Sequence, residues 1–173
     1  MDLFSMLWTS ICSVLASDEF RGFGLLTAVV VAITSVMSVK ITARKKQTAD
    51  LMFGTRADEK LGNGYKCLQK LHNKTGMNIR SLAKKKNRNS EEANHVRYVL
   101  NHWERVFVGV RQGIYDEGML HESNYTIVVN TFDQARSYIE AVREKDARPT
   151  TWQCFEWGVK RWKKKKLKII QKD

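Results

Sequence analysis

An uncharged segment over residues 22–39 limits most strongly what this chain can fold into. It lies between Arg21 and Lys40 and contains no charged residue. About 18 consecutive apolar residues are enough to cross the hydrocarbon core of a bilayer as a helix. The alternative is a buried core helix of a soluble protein, but residues 29–33 would make such a helix apolar on every side. The segment therefore predicts one transmembrane helix, over residues 22–41.

Charge is distributed unevenly on the two sides of this segment. The formal net charge is +12. Of the 30 basic residues only Arg21 precedes the segment, whereas three of the 18 acidic residues do so. Basic residues accumulate on the cytoplasmic side of a membrane span. We therefore expect the N-terminus outside and the strongly basic remainder of the chain in the cytoplasm.

The first residues predict an amphipathic helix over residues 1–16 that lies in the outer membrane–water interface. Leu7, Trp8 and Ile11 belong to its apolar face, and Ser5 and Ser10 belong to its polar face. This helix has a polar side and is short for a span, and it lacks the basic start of a signal peptide. A second short span that forms a hairpin with the first is the alternative, and it would return the N-terminus to the cytoplasm.

The remainder predicts an all-α fold, in which the transmembrane helix extends into the cytoplasm and leads to a small cytoplasmic helical bundle. We expect a juxtamembrane helix over residues 42–61, ended by Gly62 and Gly64, then a helix and basic linker over residues 65–89. A helical domain with a basic C-terminal tail follows over residues 90–173. Its second helix should start near residues 121–124, and a short strand over residues 126–131 is the less favoured alternative.

Helix ends and core positions follow from local patterns. Ser90 is the predicted N-cap of one helix, and Thr150 with Gln153 has the capping-box spacing for the last helix. Aromatic residues at helical spacing supply the predicted core: Trp103, Phe107, Phe132, Tyr138, Trp152, Phe155 and Trp162.

Two basic clusters are candidate contact sites for lipid or nucleic acid. The first contains Lys84, Lys85, Lys86 and Arg88, and the second contains Lys160, Arg161, Lys163, Lys164, Lys165 and Lys166. In the span, the small residues Gly24, Ala28 and Ala32 lie on one helix face. Such spacing permits close approach of a partner helix, including a second copy of this chain.

The residues do not predict an enzyme, a cofactor or a metal site. His95 and His102 are seven residues apart and share a helix face, but no third ligand follows at a useful spacing. The three cysteines are far apart and indicate neither a disulfide framework nor a zinc site. We expect Glu104 with Arg105, and Arg111 with Asp116 or Glu117, to form ion pairs inside the domain.

Three blocks carry a resemblance to a known family. Residues 103–117 form an aromatic-rich helix that ends in Gly-x-x-x-Gly-x-x-Asp-Glu, and residues 136–139 and 155–162 supply the other two blocks. Together they resemble a bacterial and prophage family of uncharacterised helical domains, whose members often carry one N-terminal span. Within that family the chain is similar to the superinfection-exclusion proteins of temperate phages of enteric bacteria.

The resemblance implies a location and a function. It implies a bacterial inner-membrane protein, with its N-terminus in the periplasm, that stops the DNA of a second phage from crossing the cytoplasmic membrane. The implied partners are the inner membrane and either phage ejection proteins or the incoming DNA. The alternative is a membrane-anchored helical scaffold or signalling module whose basic patches bind lipid.

Overall fold

Helices account for the regular structure of residues 6–9, 18–73 and 78–167, which are the residues that the computed structural model describes. No strand occurs in these residues, so the all-α prediction is confirmed and residues 126–131 are helical. The α-helices after residue 17 are α1 (Asp18–Ala57), α2 (Glu59–Asn73), α3 (Glu91–Arg111), α4 (Glu117–Asp146) and α5 (Gln153–Lys164). The chain divides into two compact units, Met1–Ala43 and Arg44–Asp173.

The first unit carries the apolar part of α1. In the described part of the chain, this is the one helix that is long and apolar enough to cross a membrane, and its most apolar window is wholly exposed. Thr27 and Thr34 lie within it, and their hydroxyls donate to the carbonyls of Phe23 and Val30 at 2.9 and 3.0 Å. These bonds satisfy the hydroxyls within the helix, so the two polar residues do not oppose burial in lipid. Of the predicted helix over residues 1–16, residues 6–9 are helical and exposed, and the others lie outside the described residues.

The first helix ends earlier than predicted. It stops at Ala57 instead of residue 61, and α2 runs through both glycines that we expected to end it. The break is at Asp58, whose carboxylate accepts from the Leu61 N–H at 3.0 Å and from the Tyr98 hydroxyl at 2.8 Å. Gly64 does not end a helix but allows two helices to pack closely. A Cβ at this position would lie 2.4 Å from Val99, so the missing side chain lets α2 approach α3.

The predicted basic linker is an ordered part of the fold. Two short 3-10 segments, Ile79–Ala83 and Lys85–Asn87, replace the expected loop. Leu82 is buried against the core, and the Lys145 ammonium donates to the Ala83 carbonyl at 2.7 Å. These contacts fix the linker to the C-terminal part of α4.

Two of the predicted helix starts differ from the observed ones. The N-cap Ser90 is confirmed, with its hydroxyl accepting from the Ala93 N–H. Helix α4 starts at Glu117 instead of residues 121–124, because the Asp116 carboxylate already caps its first turn. The capping box at the last helix is wrong: Trp152 is the N-cap residue, in a left-handed conformation with φ 54°, and its side chain makes no cap hydrogen bond.

The aromatic part of the core lies where α3, α4 and α5 meet. All seven aromatic residues assigned to it from the sequence are buried. Phe107 is at its centre, 6.0 Å from the ring centroid of Phe155 and 5.0 Å from that of Trp162. Phe132 from α4 meets Phe155 edge-on at 5.4 Å. The three helices are thus joined by one aromatic cluster.

Candidate functional site at the basic end of the bundle

The turn between α3 and α4 is built by two glycines. Gly113 has φ +70°, and the Ile114 N–H donates to the Gly109 carbonyl at 2.9 Å while the Gly113 N–H donates to Val110. This is the Schellman pattern that ends a helix at a left-handed glycine. At Gly109 itself a Cβ would lie 2.3 Å from the ring of Tyr115. The glycine spacing seen in the sequence therefore makes a tight and specific turn.

The start of the second unit holds this turn in place. The Arg44 guanidinium donates to the Gly113 carbonyl at 3.0 Å. Thr48 is fully buried; its hydroxyl accepts from the Asp116 N–H at 2.7 Å and donates to the Arg44 carbonyl at 2.8 Å. Arg44 therefore has a structural role in addition to its charge. Sequence analysis missed both residues, although the four-residue spacing of Arg44, Thr48 and Met52 is that of one helix face.

Helix α5 closes the same end of the bundle. Arg161 and Trp162 both donate to one carboxylate oxygen of Glu117, at 2.8 and 3.2 Å. Nε2 of the buried His121 lies 2.7 Å from the Lys165 carbonyl, and therefore carries the hydrogen that it donates to this oxygen. A cavity of about 360 Å³ lies between these groups. Its lining is Glu117, Gly118, His121, Arg161, Trp162, Lys164 and Lys165.

One tryptophan of α5 faces away from the core. Trp157 is 38% exposed, and the guanidinium carbons of Arg111 and Arg161 lie 5.7 and 5.8 Å from its ring centroid. Both distances are within the range of cation–π contact. Arg111 also donates to the Cys154 sulfur at 3.3 Å. The predicted ion pair of Arg111 with Asp116 or Glu117 is wrong, because Arg111 forms neither contact and Glu117 pairs with Arg161 instead.

The predicted pair of Glu104 with Arg105 is also corrected. The two Glu104 carboxylate oxygens accept from the backbone N–H groups of Cys154 and Phe155, at 3.2 and 2.8 Å. These are free N–H groups of the first turn of α5, where a negative charge is favoured by the helix dipole. Glu104 thus caps a helix that is 50 residues away in the sequence. It replaces the local N-cap residue Trp152, whose side chain makes no cap hydrogen bond.

The structure divides the predicted basic residues into paired and unpaired groups. Ion pairs join Arg88 to Asp146, Lys160 to Glu156, Arg161 to Glu117 and Lys163 to Asp133. The remaining six are exposed, with no ion pair among the described residues. We name Lys84, Lys85 and Lys86 the linker triplet, and Lys164, Lys165 and Lys166 the tail triplet.

The two triplets lie at opposite ends of α4. Lys145 near its C-terminus holds the residue before the linker triplet, and His121 near its N-terminus holds the backbone of the tail triplet. At 1.5 Å per residue, the 24 residues between these two contacts correspond to roughly 36 Å. The triplets are therefore separate sites, and the tail triplet shares its end of the bundle with Trp157.

The two histidines considered as metal ligands are held in different ways. His95 lies 3.4 Å from the Glu91 carboxylate, and His102 is half-buried with its Nε2 unpartnered. Burial lowers the pKa of His102 to about 4, with the positive charge of Arg105 acting in the same direction. Within the described residues, no group of three or more His, Cys, Asp or Glu side chains is arranged to hold a metal ion.

The comparison with known protein families is decisive for classification. A family model described as "Domain of unknown function (DUF4760)" matches residues 23–162. This chain belongs to the DUF4760 family. No curated protein and no solved structure matches it.

The DUF4760 match begins in the apolar helix and ends at Trp162 in α5, so it includes all three blocks noted in the sequence. In the fold the first and third blocks pack against each other. Trp103 and Phe107 from the first block and Phe155 and Trp162 from the third are in the buried aromatic cluster, and Tyr138 from the second is also buried. In this DUF4760 chain the blocks therefore build the bundle and its basic end.

In the apolar segment, the small residues lie on one exposed face of α1. Gly24, Ala28 and Ala32 are all exposed, and a Cβ at Gly24 would meet no other atom within 4 Å. The face has the room that a close helix partner needs. It stays a candidate contact surface of this DUF4760 chain.

Proposed function

We propose that this chain is a SieA-like superinfection-exclusion protein of the bacterial inner membrane. It prevents DNA of a second phage from entering by interfering with translocation across the cytoplasmic membrane. The observation that carries the proposal is a resemblance to the exclusion proteins of temperate enteric phages in size and architecture, with a short apolar segment before a basic helical domain. The blocks at residues 103–117, 136–139 and 155–162 are part of this resemblance. The exposed apolar helix near the N-terminus supports it, because that helix has the length and composition of a membrane span.

The proposed topology has the N-terminus in the periplasm and the bundle in the cytoplasm. The charge asymmetry supports this direction of insertion, since Lys40, Lys45 and Lys46 follow the apolar segment closely. These three lysines are exposed, with no ion pair in the described part of the chain. They are therefore available to the phosphates of the inner leaflet.

We propose that exclusion acts through protein contacts within the membrane. In this topology, a channel assembled from the periplasm by ejected phage proteins meets the N-terminal residues and the span before it meets the bundle. The exposed small-residue face of Gly24, Ala28 and Ala32 would receive a helix of that channel, or of a second copy of this chain. DNA contact through the two lysine triplets is the competing mechanism.

The test is phage plating on a sensitive host that expresses the full chain. We expect lower plating efficiency for at least one phage of a panel. The double substitution Gly24→Leu with Ala28→Leu should abolish the effect, because the larger side chains close the small-residue face. Val30→Leu, on the other side of the helix, is the matched control and should leave exclusion intact. Unchanged plating across the whole panel at normal membrane level would overturn the proposal.

A second set of variants separates the two mechanisms. Replacement of the tail triplet by glutamine, and separately of the linker triplet, should leave plating exclusion unchanged if protein contacts cause it. Loss of exclusion in both variants, at normal membrane level, would favour DNA contact. In that case DNA binding should also weaken steeply with added salt, because each phosphate contact releases counterions.

The alternative function is a membrane-anchored helical scaffold or signalling module whose basic patches bind lipid. The contact of Trp157 with two guanidinium groups favours it, because exposed aromatic and cationic side chains together suit a membrane interface. This alternative predicts normal phage plating together with stable membrane association.

A further inference from the structure

We infer that the end of the bundle around Trp157 is a docking surface for the anionic headgroups of a phospholipid bilayer. Its parts are Trp157, Arg111, Arg161 and the tail triplet, together with the cavity of about 360 Å³ beside them. The inference rests on the membrane anchoring proposed above, but not on phage exclusion.

The first step is the unusual position of Trp157 on its helix. The core face of α5 is already filled by aromatic and aliphatic residues, and Trp157 lies among the charged positions of the same helix. Lys160, Arg161 and Lys164 follow it at spacings of three, four and seven residues, so they share its side of the helix. A helix with a tryptophan among lysines and arginines, and with its opposite face fixed in a core, is suited to lie against headgroups.

The second step is the charge of the cavity. Arg161, Lys164 and Lys165 line it, and Glu117 is the one acid among its lining residues. Arg161 and the Trp162 N–H already occupy a Glu117 oxygen, which leaves the two lysines without an anionic partner in the described chain. His121 holds the Lys165 backbone, so the segment that carries the cationic rim is fixed in position. Such a cavity favours one phosphodiester headgroup.

The third step identifies a bilayer as the occupant. Arg44 donates to the turn at this end of the bundle, and it follows Lys40, the first charged residue after the apolar segment, by four residues. Four residues span at most about 14 Å, so chain connectivity alone keeps Arg44 within about 14 Å of Lys40, where the apolar segment ends. Ile114 in the turn is 45% exposed and Leu167 after the tail triplet is 38% exposed. A bilayer interface accepts such apolar side chains, whereas contact with nucleic-acid phosphates does not require them.

The experiment uses the full chain in nanodiscs of phosphatidylcholine, alone or mixed with phosphatidylglycerol, with and without brominated acyl chains. The emission of Trp157 is the difference between the wild type and Trp157→Phe, which keeps an aromatic ring at this exposed position. We expect this difference spectrum to shift to shorter wavelength and to be quenched by brominated lipid in the anionic nanodiscs. In neutral nanodiscs both changes should be smaller, and added salt should reduce them.

Matched variants test the named cations. Glutamine at the tail triplet should abolish the lipid-dependent quenching of Trp157. Glutamine at the linker triplet removes the same charge about 36 Å away and should leave the quenching unchanged. Equal loss in both variants would show that only net charge matters, and it would overturn the site.

The outcomes separate this inference from the proposed function. If the chain co-purifies with both kinds of nanodisc but Trp157 responds to neither, the docking surface is wrong while membrane anchoring stands. If an added duplex oligonucleotide, and not anionic lipid, changes the Trp157 emission, the surface binds nucleic acid and the inference is overturned. Phage plating is measured separately, so its failure leaves a positive quenching result standing.

Discussion

Replacing Gly158 with alanine should destabilise the bundle, although alanine is the better helix former. A Cβ at Gly158 would lie 2.1 Å from each of two ring carbons of Phe107 and 2.6 Å from a third. Phe107 is fully buried and is packed between Phe155 and Trp162, so its ring has no free space to move into. Overpacking of this kind costs about 1–3 kcal/mol or more, against a gain of about 1 kcal/mol in helix propensity. Because the clash is with three atoms of an immobile ring, we expect a net loss of about 2 kcal/mol.

The assay is urea or thermal unfolding of the full chain in detergent, followed by near-ultraviolet circular dichroism of the buried aromatic residues. A loss of about 2 kcal/mol lowers the melting temperature of a bundle of this size by roughly 8 °C. Gly62→Ala is the matched control: it is also a helical glycine, but its Cβ would meet no atom within 4 Å. That variant should gain about 0.5–1 kcal/mol. A Gly158→Ala protein as stable as the wild type would refute the packing argument.

Two further predictions concern polar groups. Glu104→Ala should lower stability in urea unfolding by about 1–2 kcal/mol, because two N–H groups of α5 lose their acceptor, whereas Glu104→Gln should cost less; equal losses would contradict the capping role. Burial lowers the pKa of His102 to about 4, below its unfolded value of about 6.5. The contribution of neutral His102 to the free energy of unfolding is therefore complete above pH 6.5 and is lost as the pH falls towards 4. Between pH 4 and 6.5 the free energy of unfolding of His102→Leu should therefore change less with pH than that of the wild type. The same pH dependence in both proteins would count against the lowered pKa of His102.

The features predicted well from the sequence are those set by local pattern. The uncharged segment around residues 22–39 is helical and exposed, and the aromatic residues at helical spacing are buried. Ser90 caps α3 because its hydroxyl reaches a backbone N–H three residues ahead. In each case the residues that cause the feature lie within one or two helical turns of one another. Their spacing in the sequence is therefore enough to predict the feature.

The features predicted wrongly depend on residues distant in the sequence. Gly64 looks like a helix breaker, but the approach of α3 makes a side chain impossible at that position, and the helix continues through it. Thr150 has the spacing of a capping box, yet Glu104 from another helix supplies the acceptors. No local pattern distinguishes these cases, because the deciding contact exists only once the bundle has formed.

The candidate site has the same division between local and distant causes. A run of lysines is visible in the sequence, but which of them are neutralised depends on partners such as Asp133 for Lys163. This matters for experiments on function. A substitution at Gly113 or Glu117 alters the turn or the contact that holds α5 in place, so any loss of activity would report on folding as well. The tail triplet makes no ion pair within the described chain and Trp157 is exposed, so changes at these positions leave the core intact. Those side chains are where the proposed membrane contact is best tested separately from the stability of the bundle.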